Sequence, residues 1–325
     1  MNNYQAVDVV ISWVDGNDPA HKQKIQPFLD SQSRKSDDIA GSTRYGSVGE
    51  IFYCIASIYR FAPFVRKIFI ISDKQNPCLD EFIQENFPES KIEIEIVDHS
   101  VIFRGYEKYL PVFNSRAIET CTFRIPGLSE NYVYFNDDFF LVRPLKYEDW
   151  YRGEKIVAYG HWRSILLDRL LWFIKPMKNG HKPIGFKDSM ITSACKLNRK
   201  WRYFHLEHIP HPLKKSVLEK FFTEHPELFI SNISHKFRSA KQFNTQALYY
   251  LLMFEANRAI LTSTKNNFLY MKPVKRGDNY VNRKQKDFKT NPNIQFCCIG
   301  SLDMATEKNR TELLNWLKTI YNIKL

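Results

Sequence analysis

Glycine and proline are scarce, at 12 and 15 of 325 residues, which excludes collagen-like and linker-rich chains. No stretch of about 18 apolar residues without charge occurs, so no membrane-spanning helix is expected. Six cysteines (Cys54, Cys78, Cys121, Cys195, Cys297 and Cys298) are too few for a disulfide framework in a chain this long. No C-x-x-C pair or Cys/His cluster has zinc spacing. Residues 1–6 lack the basic-then-apolar plan of a secretory signal, and with reduced thiols the expected compartment is the cytoplasm. The nucleotide-cradling patterns G-x-x-x-x-G-K-S/T and G-x-G-x-x-G are missing, as are the hydrolase signatures G-x-S-x-G and H-E-x-x-H. Acidic residues are the minority: 35 Asp+Glu against 47 Lys+Arg leave a net charge of +12.

What is present reads as globular. Hydrophobic residues make up 44% and charged residues 25%, and 17 Tyr, 25 Phe and 6 Trp supply a large core. The first half alternates strand and helix signals. Residues 7–14 are a β-branched run ending in the breaker Asp15-Gly16-Asn17-Asp18-Pro19. Residues 48–61 carry helical apolar spacing, 68–71 and 132–135 are wholly apolar runs typical of buried parallel strands, and 92–97 alternate. Further helices are predicted over 78–87 and 116–123. The alternation argues for a mostly parallel sheet with helices on both faces. In the second half, 161–173, 214–224 and 245–259 read as helices, 269–271 and 294–298 as late strands returning to the sheet, and 276–292 as a solvated basic loop. Residues 311–321 close the chain as an amphipathic helix.

Polar clusters follow three strand ends, where open α/β sheets bind ligands: Asp15 with Gly16, Ser72 with Asp73 and Lys74, and Asp137 with Asp138. A carboxylate pair on such a turn suits Mg²⁺ or Mn²⁺, which take one or two carboxylates plus phosphate oxygens. The plain alternative is a turn that Asn136 and Asp137 merely cap. Residues 207–212 place His208 and His211 in a stiff, proline-flanked segment, and 234–238 read S-H-K-F-R. Histidine accepts a hydroxyl proton near neutrality and arginine offers a planar fork to phosphate, although structural histidines and surface arginines remain the alternative. The basic residues are dispersed and no nucleic-acid signature occurs, so no nucleic-acid partner is expected. The Trp/Leu-rich stretch 161–175, with Arg163, Arg169 and Lys175, fits either an anionic membrane surface or the packed interior, and the interior is the expectation.

Four blocks resemble the Stealth family of hexose-1-phosphate transferases, which includes bacterial capsule phosphotransferases and the lysosomal-enzyme N-acetylglucosamine phosphotransferase. The first is D-V-V-I-S-W-V-D-G-N-D-P at 8–19. The second begins at Arg44-Tyr45, runs through R-F-A-P-F-V-R-K-I-F-I-I-S-D at 60–73 and L-P-V-F-N-S-R-A-I-E at 110–119, and ends with R-I-P-G-L-S-E-N-Y-V-Y-F-N-D-D-F-F at 124–140. The third is E-H-I-P-H-P-L at 207–213 with S-H-K-F-R at 234–238. The fourth, F-C-C-I-G-S-L-D at 296–303, departs where some relatives carry Asn-Asp, which leaves the role of Asp303 open.

The resemblance implies a glycosyltransferase-A-like, Rossmann-type α/β fold with a largely helical insertion. It implies one catalytic domain over 1–325: a nucleotide-sugar half at 1–160, a mostly helical insertion at 161–290, and a return to the core with a C-terminal helix at 291–325. It also implies transfer of a sugar-1-phosphate from a nucleotide-diphosphate sugar, usually uridine-linked, to an acceptor sugar hydroxyl on a growing glycan, lipid-linked or free. The acceptor oxygen would attack the β-phosphorus and a nucleoside monophosphate would leave. Carried over by position, Asp138 with Asp137 is the metal or catalytic carboxylate pair, holding Mg²⁺ or Mn²⁺. His208 and Arg238 match the family's functional histidine and arginine. His208 is the candidate base and Asp15 the alternative. Trp13, Gly16, Arg44, Lys74, Asn114 and Arg116 are assigned to the donor nucleotide. The compact length favours a bacterial polysaccharide enzyme, cytoplasmic and with peripheral contact at an anionic inner membrane face left open. The rivals are an ordinary glycosyltransferase cleaving at the anomeric carbon and a non-catalytic basic binding module.

Overall fold

The computed structural model describes residues 4–31, 46–174 and 185–325. Its strands are β1 (Val7–Ser12), β2 (Lys67–Ser72), β3 (Glu93–Asp98), β4 (Asn131–Asn136), β5 (Phe139–Leu141), β6 (Tyr151–Arg152), β7 (Lys155–Ser164), β8 (Arg202–Leu206), β9 (His211–Lys214), β10 (Ala259–Thr262), β11 (Phe268–Met271) and β12 (Phe296–Ile299). The main sheet has the order β3-β2-β1-β4-β9. The first four strands pair in parallel, while β9 runs antiparallel to β4 at the edge. The parallel strands explain their own burial. V-D-V-V-I-S and K-I-F-I-I-S are almost continuous apolar runs covered on both faces, whereas the edge strand β3 carries alternating glutamates.

From β1 the chain passes to β2 and β3, then crosses back to β4 on the other side of β1. Such a reversal opens a crevice at the carboxyl ends of the two strands that flank it, here β1 and β4. Their ends are level, with Ser12 opposite both Ile71 and Asn136. At the opposite end the sheet is tied by a buried charge. Asp8 accepts from Arg66 at 2.9 and 2.6 Å and from the Ser129 N–H at 2.7 Å, joining the starts of β1, β2 and β4.

The second half departs from several expectations. Residues 161–164 are the end of the long strand β7, whose ladder with β8 continues through Ser164; only Ile165–Ile174 is helical. The basic stretch expected as a loop contains the helix Tyr280–Thr290, seated by buried Tyr280 and Val281. The 161–290 region is not simply helical, for it contributes β8 to β11, and β9 joins the main sheet through a pair of tyrosines. Tyr151 Oη donates to the Tyr132 carbonyl at 2.6 Å and accepts from Leu213 N–H at 3.2 Å, while Tyr249 Oη accepts from Lys214 N–H at 2.9 Å. The late strands β11 and β12 form their own three-stranded sheet with β5 instead of rejoining the main one. Among the described residues, no helix is long and apolar enough to cross a membrane.

Candidate active site

The site grows from the turn that ends β4. Asn136-Asp137-Asp138 leads straight into β5, and β12 clamps that strand from the far end of the chain. Ile299 N–H donates to the Asp138 carbonyl at 3.2 Å, and the Cys298 thiol donates to Asp138 Oδ2 at 3.6 Å. Burial pushes the Asp138 carboxyl up to about 6. The Cys298 contact opposes that rise and the nearby charge of Glu50 adds to it, while Arg238 also opposes it. Asp137 lies well above the usual carboxylate range, through burial and then through the charges of Asp138 and Glu50. Glu50 opens the helix Glu50–Phe61 and is itself buried, its Oε2 accepting from Val48 N–H at 2.7 Å. Burial raises its carboxyl too, with a contribution from Asp303. Asp303 packs on the backbone of Gly46, where any Cβ would run into its carboxylate. Glu50 and Cys298 escaped the sequence reading, since a helix-opening glutamate and a cysteine inside F-C-C-I carry no chemical signature of their own.

His208 stands beside this turn. Its ring lies nearly parallel to Phe186 (centroids 4.5 Å apart, 27°) and to Tyr270 (5.8 Å, 23°), with Phe139 edge-on at 6.3 Å. Burial pushes its pKa down to about 4, helped by the positive charges of Arg238 and Lys272, so the ring is neutral at pH 7. His211, three residues on, is different in kind. It lies buried in β9 opposite Tyr134, with Nδ1 3.4 Å from Tyr250 Oη, and burial pushes it down to about 3.

Arg238 is exposed and donates to Ser115 Oγ at 2.9 Å. The segment carrying it is locked to the N-S-R motif. Asn114 caps the helix Ser115–Cys121 and donates Nδ2 to the His235 carbonyl at 2.6 Å. Arg116 donates to the Ser239 carbonyl at 3.1 Å, and Phe113 stacks on Phe237 at 5.6 Å. Asn114 and Arg116, assigned to the nucleotide from the sequence, thus have these polar groups engaged in placing Arg238.

A second group occupies the ends of β1, β2 and β3. Asp15 folds back to accept from Asn17 N–H at 2.8 Å across the Gly16 turn, and Gln75 bridges the Asp15 backbone and the Asp18 carboxylate. The hydrogen bonds described for Asp15 are to Asn17, Asp18 and Gln75, and none is to Asp138. Asp73 is held by Lys24 at 2.7 and 2.6 Å. Lys74 adopts a left-handed backbone (φ 59°), donates its N–H to Asp98 Oδ2 at 2.9 Å and extends an exposed side chain. Trp13 is buried just beyond the end of β1, its indole N–H sealed from solvent and without a hydrogen-bond partner among the described residues. Arg44 lies outside the described residues.

For a metal, no three His, Cys, Asp or Glu side chains converge among the described residues, so the protein offers the adjacent Asp137 and Asp138. Two half-buried carboxylates that repel each other fit a hard divalent ion that also takes substrate phosphate oxygens.

Comparison with known proteins places these residues in context. Residues 6–33 match Stealth protein CR1, conserved region 1, and residues 44–159 match Stealth protein CR2, conserved region 2. The chain is 32% identical to an exopolysaccharide phosphotransferase of Streptomyces coelicolor, over 75% of this chain and 43% of that protein. It is also 32% identical to a capsular polysaccharide phosphotransferase of Actinobacillus pleuropneumoniae, over 73% and 62%. A Haemophilus influenzae capsular polysaccharide phosphotransferase is 29% identical over 91% and 79%. The chain thus spans only about half the length of the first two. Among solved structures, a galactosyltransferase in complex with donor and acceptor sugar analogues superposes with a TM-score of 0.44 at 9% identity, covering 98% and 96% of the two chains. The two conserved regions carry β1 to β4 and the Asp137-Asp138 turn, whereas His208, Arg238 and Cys298 lie beyond residue 159.

Proposed function

Because the chain belongs to the Stealth family, we propose that it transfers a sugar-1-phosphate from a uridine-linked nucleotide-diphosphate sugar to a glycan hydroxyl. The product is a phosphodiester within a cell-surface polysaccharide, and a nucleoside monophosphate leaves. The observation that carries this reading is the meeting of a neutral His208 and an exposed Arg238 with the uncompensated Asp137-Asp138 pair, beside the β1/β4 crevice.

The donor nucleotide would enter beside Trp13 at the end of β1, with the exposed Lys74 near its phosphates. Mg²⁺ or Mn²⁺ held by Asp137 and Asp138 would supply charge neutralisation to the phosphate oxygens. Arg238, steadied by Ser115, turns its planar fork to the oxygens of the transferring phosphoryl group. His208, kept neutral by burial, accepts the proton of the acceptor hydroxyl as that oxygen bonds to the β-phosphorus. The bond from that phosphorus to the bridging oxygen breaks, and the monophosphate departs with the electron pair. The work is positioning and charge stabilisation, as phosphoryl transfer demands.

An acceptor route opens beside Tyr270. A cleft of about 620 Å³, lined by Glu207, Phe268, Tyr270, Lys284, Asp287 and Asn291 among others, reaches the ring that faces His208. Aromatic faces interleaved with carboxylate, amide and ammonium groups suit a sugar chain. The reading keeps the cytoplasm, where nucleotide sugars are available, as the compartment. Incubation with a panel of nucleotide sugars and glycan acceptors, with mass detection of the released nucleotide, tests the proposal. Nucleoside monophosphate with a phosphodiester product is expected. Release of nucleoside diphosphate would make the protein an ordinary glycosyltransferase. No turnover, together with steeply salt-dependent binding, would leave a basic binding module.

A further inference from the structure

The helix Ile165–Ile174 is built inside out. A helix on the surface of a water-soluble protein turns its apolar stripe inward and its charges outward. Here the inward residues are Ile165 and Asp168, both buried, and Asp168 is only 1% exposed. Its carboxylate is fully engaged. Arg163 donates to both oxygens at 2.9 and 2.8 Å, Lys187 Nζ to Oδ1 at 2.9 Å, and Tyr203 Oη to Oδ2 at 2.7 Å. The outward residues are Leu166, Leu167, Leu170, Leu171 and Phe173, with Leu166 68% and Leu170 58% exposed. The Trp201 carbonyl accepts the Ile165 N–H at 2.9 Å, which sets this residue, 77% exposed, beside the first turn of the helix. Single exposed leucines are ordinary, but a contiguous run on one face marks a surface that is covered in use.

We propose that this helix and Trp201 dock the protein on an anionic lipid surface. Charge selects that occupant. Arg169 on the helix, Lys200 and Arg202 on either side of Trp201, and Lys196 are all exposed, while the helix's own acid is buried and neutralised. Leucines and an aromatic ring dip into the boundary between headgroups and acyl chains, and the flanking cations meet lipid phosphates. A second copy of this chain would bring the same cations and a net charge of +12 against themselves. The docking element also connects to the reaction centre. Lys187, which holds Asp168, is the neighbour in sequence of Phe186, whose ring lies on His208. Docking itself does not depend on the transfer reaction.

Co-sedimentation with phosphatidylcholine vesicles, with and without phosphatidylglycerol, tests this. The protein should pellet with the phosphatidylglycerol vesicles and stay in solution with pure phosphatidylcholine. Leu167→Glu/Leu170→Glu should weaken binding by at least ~10-fold with an unchanged melting temperature. Trp201→Ser, which leaves the helix untouched, should weaken it less and serves as the arm to read if the double variant unfolds. Arg169→Gln/Lys200→Gln should remove the preference for phosphatidylglycerol. Equal pelleting of wild type and variants, or equal binding to uncharged vesicles, would overturn the proposal. So would a wild-type dimer, seen by light scattering without lipid, that Leu167→Glu/Leu170→Glu separates.

Discussion

The two sides of the strand-end crevice treat their charges in opposite ways. Under β1, β2 and β3 nearly every charge has a partner: Lys24 holds Asp73, Gln75 ties Asp15 to Asp18, and Asp98 accepts from Lys74 and Ser100. Under β4 and β12 the charges are left in tension. Glu50, Asp137 and Asp138 crowd together with raised carboxyls, and Arg238 faces them from the end of a tethered loop. Paired charges hold a shape, whereas buried charges that lack compensation store electrostatic strain that a cationic or phosphorylated ligand relieves. Scaffold and chemistry are thus separable in the same crevice, and substitutions on each side should report different quantities.

The largest effect is expected at the strained side. Asp138→Asn is nearly isosteric and removes a repelling charge, so the melting temperature should hold or rise while turnover falls by ~10³-fold or more, about 4 kcal/mol at the transition state. Nucleoside monophosphate release read by mass spectrometry decides it. Near-normal turnover would move the chemistry away from this turn.

The two histidines sharpen the contrast next. His208→Ala should lower kcat by ~10² or more, the usual contribution of a general base. With its pKa near 4 in the free protein, His208 is already neutral at pH 6. Protonation of Asp138 sets a limb near pH 6 in wild type and in His208→Ala alike, whereas the limb due to His208 should lie towards about 4; a limb near the ordinary histidine value of ~6.5 that His208→Ala removes would contradict the burial argument. His211→Ala should instead leave kcat close to wild type and lower the melting temperature. The unfolded chain protonates this histidine below about pH 6.5 while the folded chain resists until about 3, so His211 costs the wild type stability as pH falls through that window. His211→Ala should flatten the decline.

Arg238→Lys keeps the charge and loses the fork, so activity should drop by at least ~10-fold, about 1.4 kcal/mol. Ser115→Ala, which frees the guanidinium from its only described side-chain anchor, should do less and mainly in kcat. The smallest catalytic effect belongs to the paired side. Lys24→Met leaves the mostly buried Asp73 without its cation and should cost about 1 kcal/mol of stability in thermal or urea unfolding, with turnover within about 3-fold. Turnover lost without any loss of stability would erase the distinction between the two sides.

The sequence disclosed the parallel core because the interiors of β1, β2 and β4 are almost continuous apolar runs, broken only by Asp8, of the kind a doubly covered strand carries. It concealed β9, since Pro212 argues against a strand and is accommodated only at an antiparallel edge. It concealed the helix Tyr280–Thr290 because Lys, Asn and Arg outnumber the few apolar anchors that seat it. In the site, Asp137-Asp138 was visible as a carboxylate pair after a strand. The partner of Asp138 was not, because Cys298 lies 160 residues away and no local pattern encodes that meeting. Asn114 and Arg116 show the converse. The sequence marks both as polar residues near a crevice, and the structure adds what no local pattern encodes, their hydrogen bonds to the 235–239 loop.

That long reach of β12 to β5 sets a timetable for biosynthesis. As the chain emerges from the ribosome, β1 to β4 can assemble with their helices, but the acid turn remains unbraced until residues 296–299 arrive. Contacts between segments so distant in sequence are slow to close and form late. A chain that stops short of residue 296 would carry the strand-end crevice without the β12 brace on the Asp138 turn.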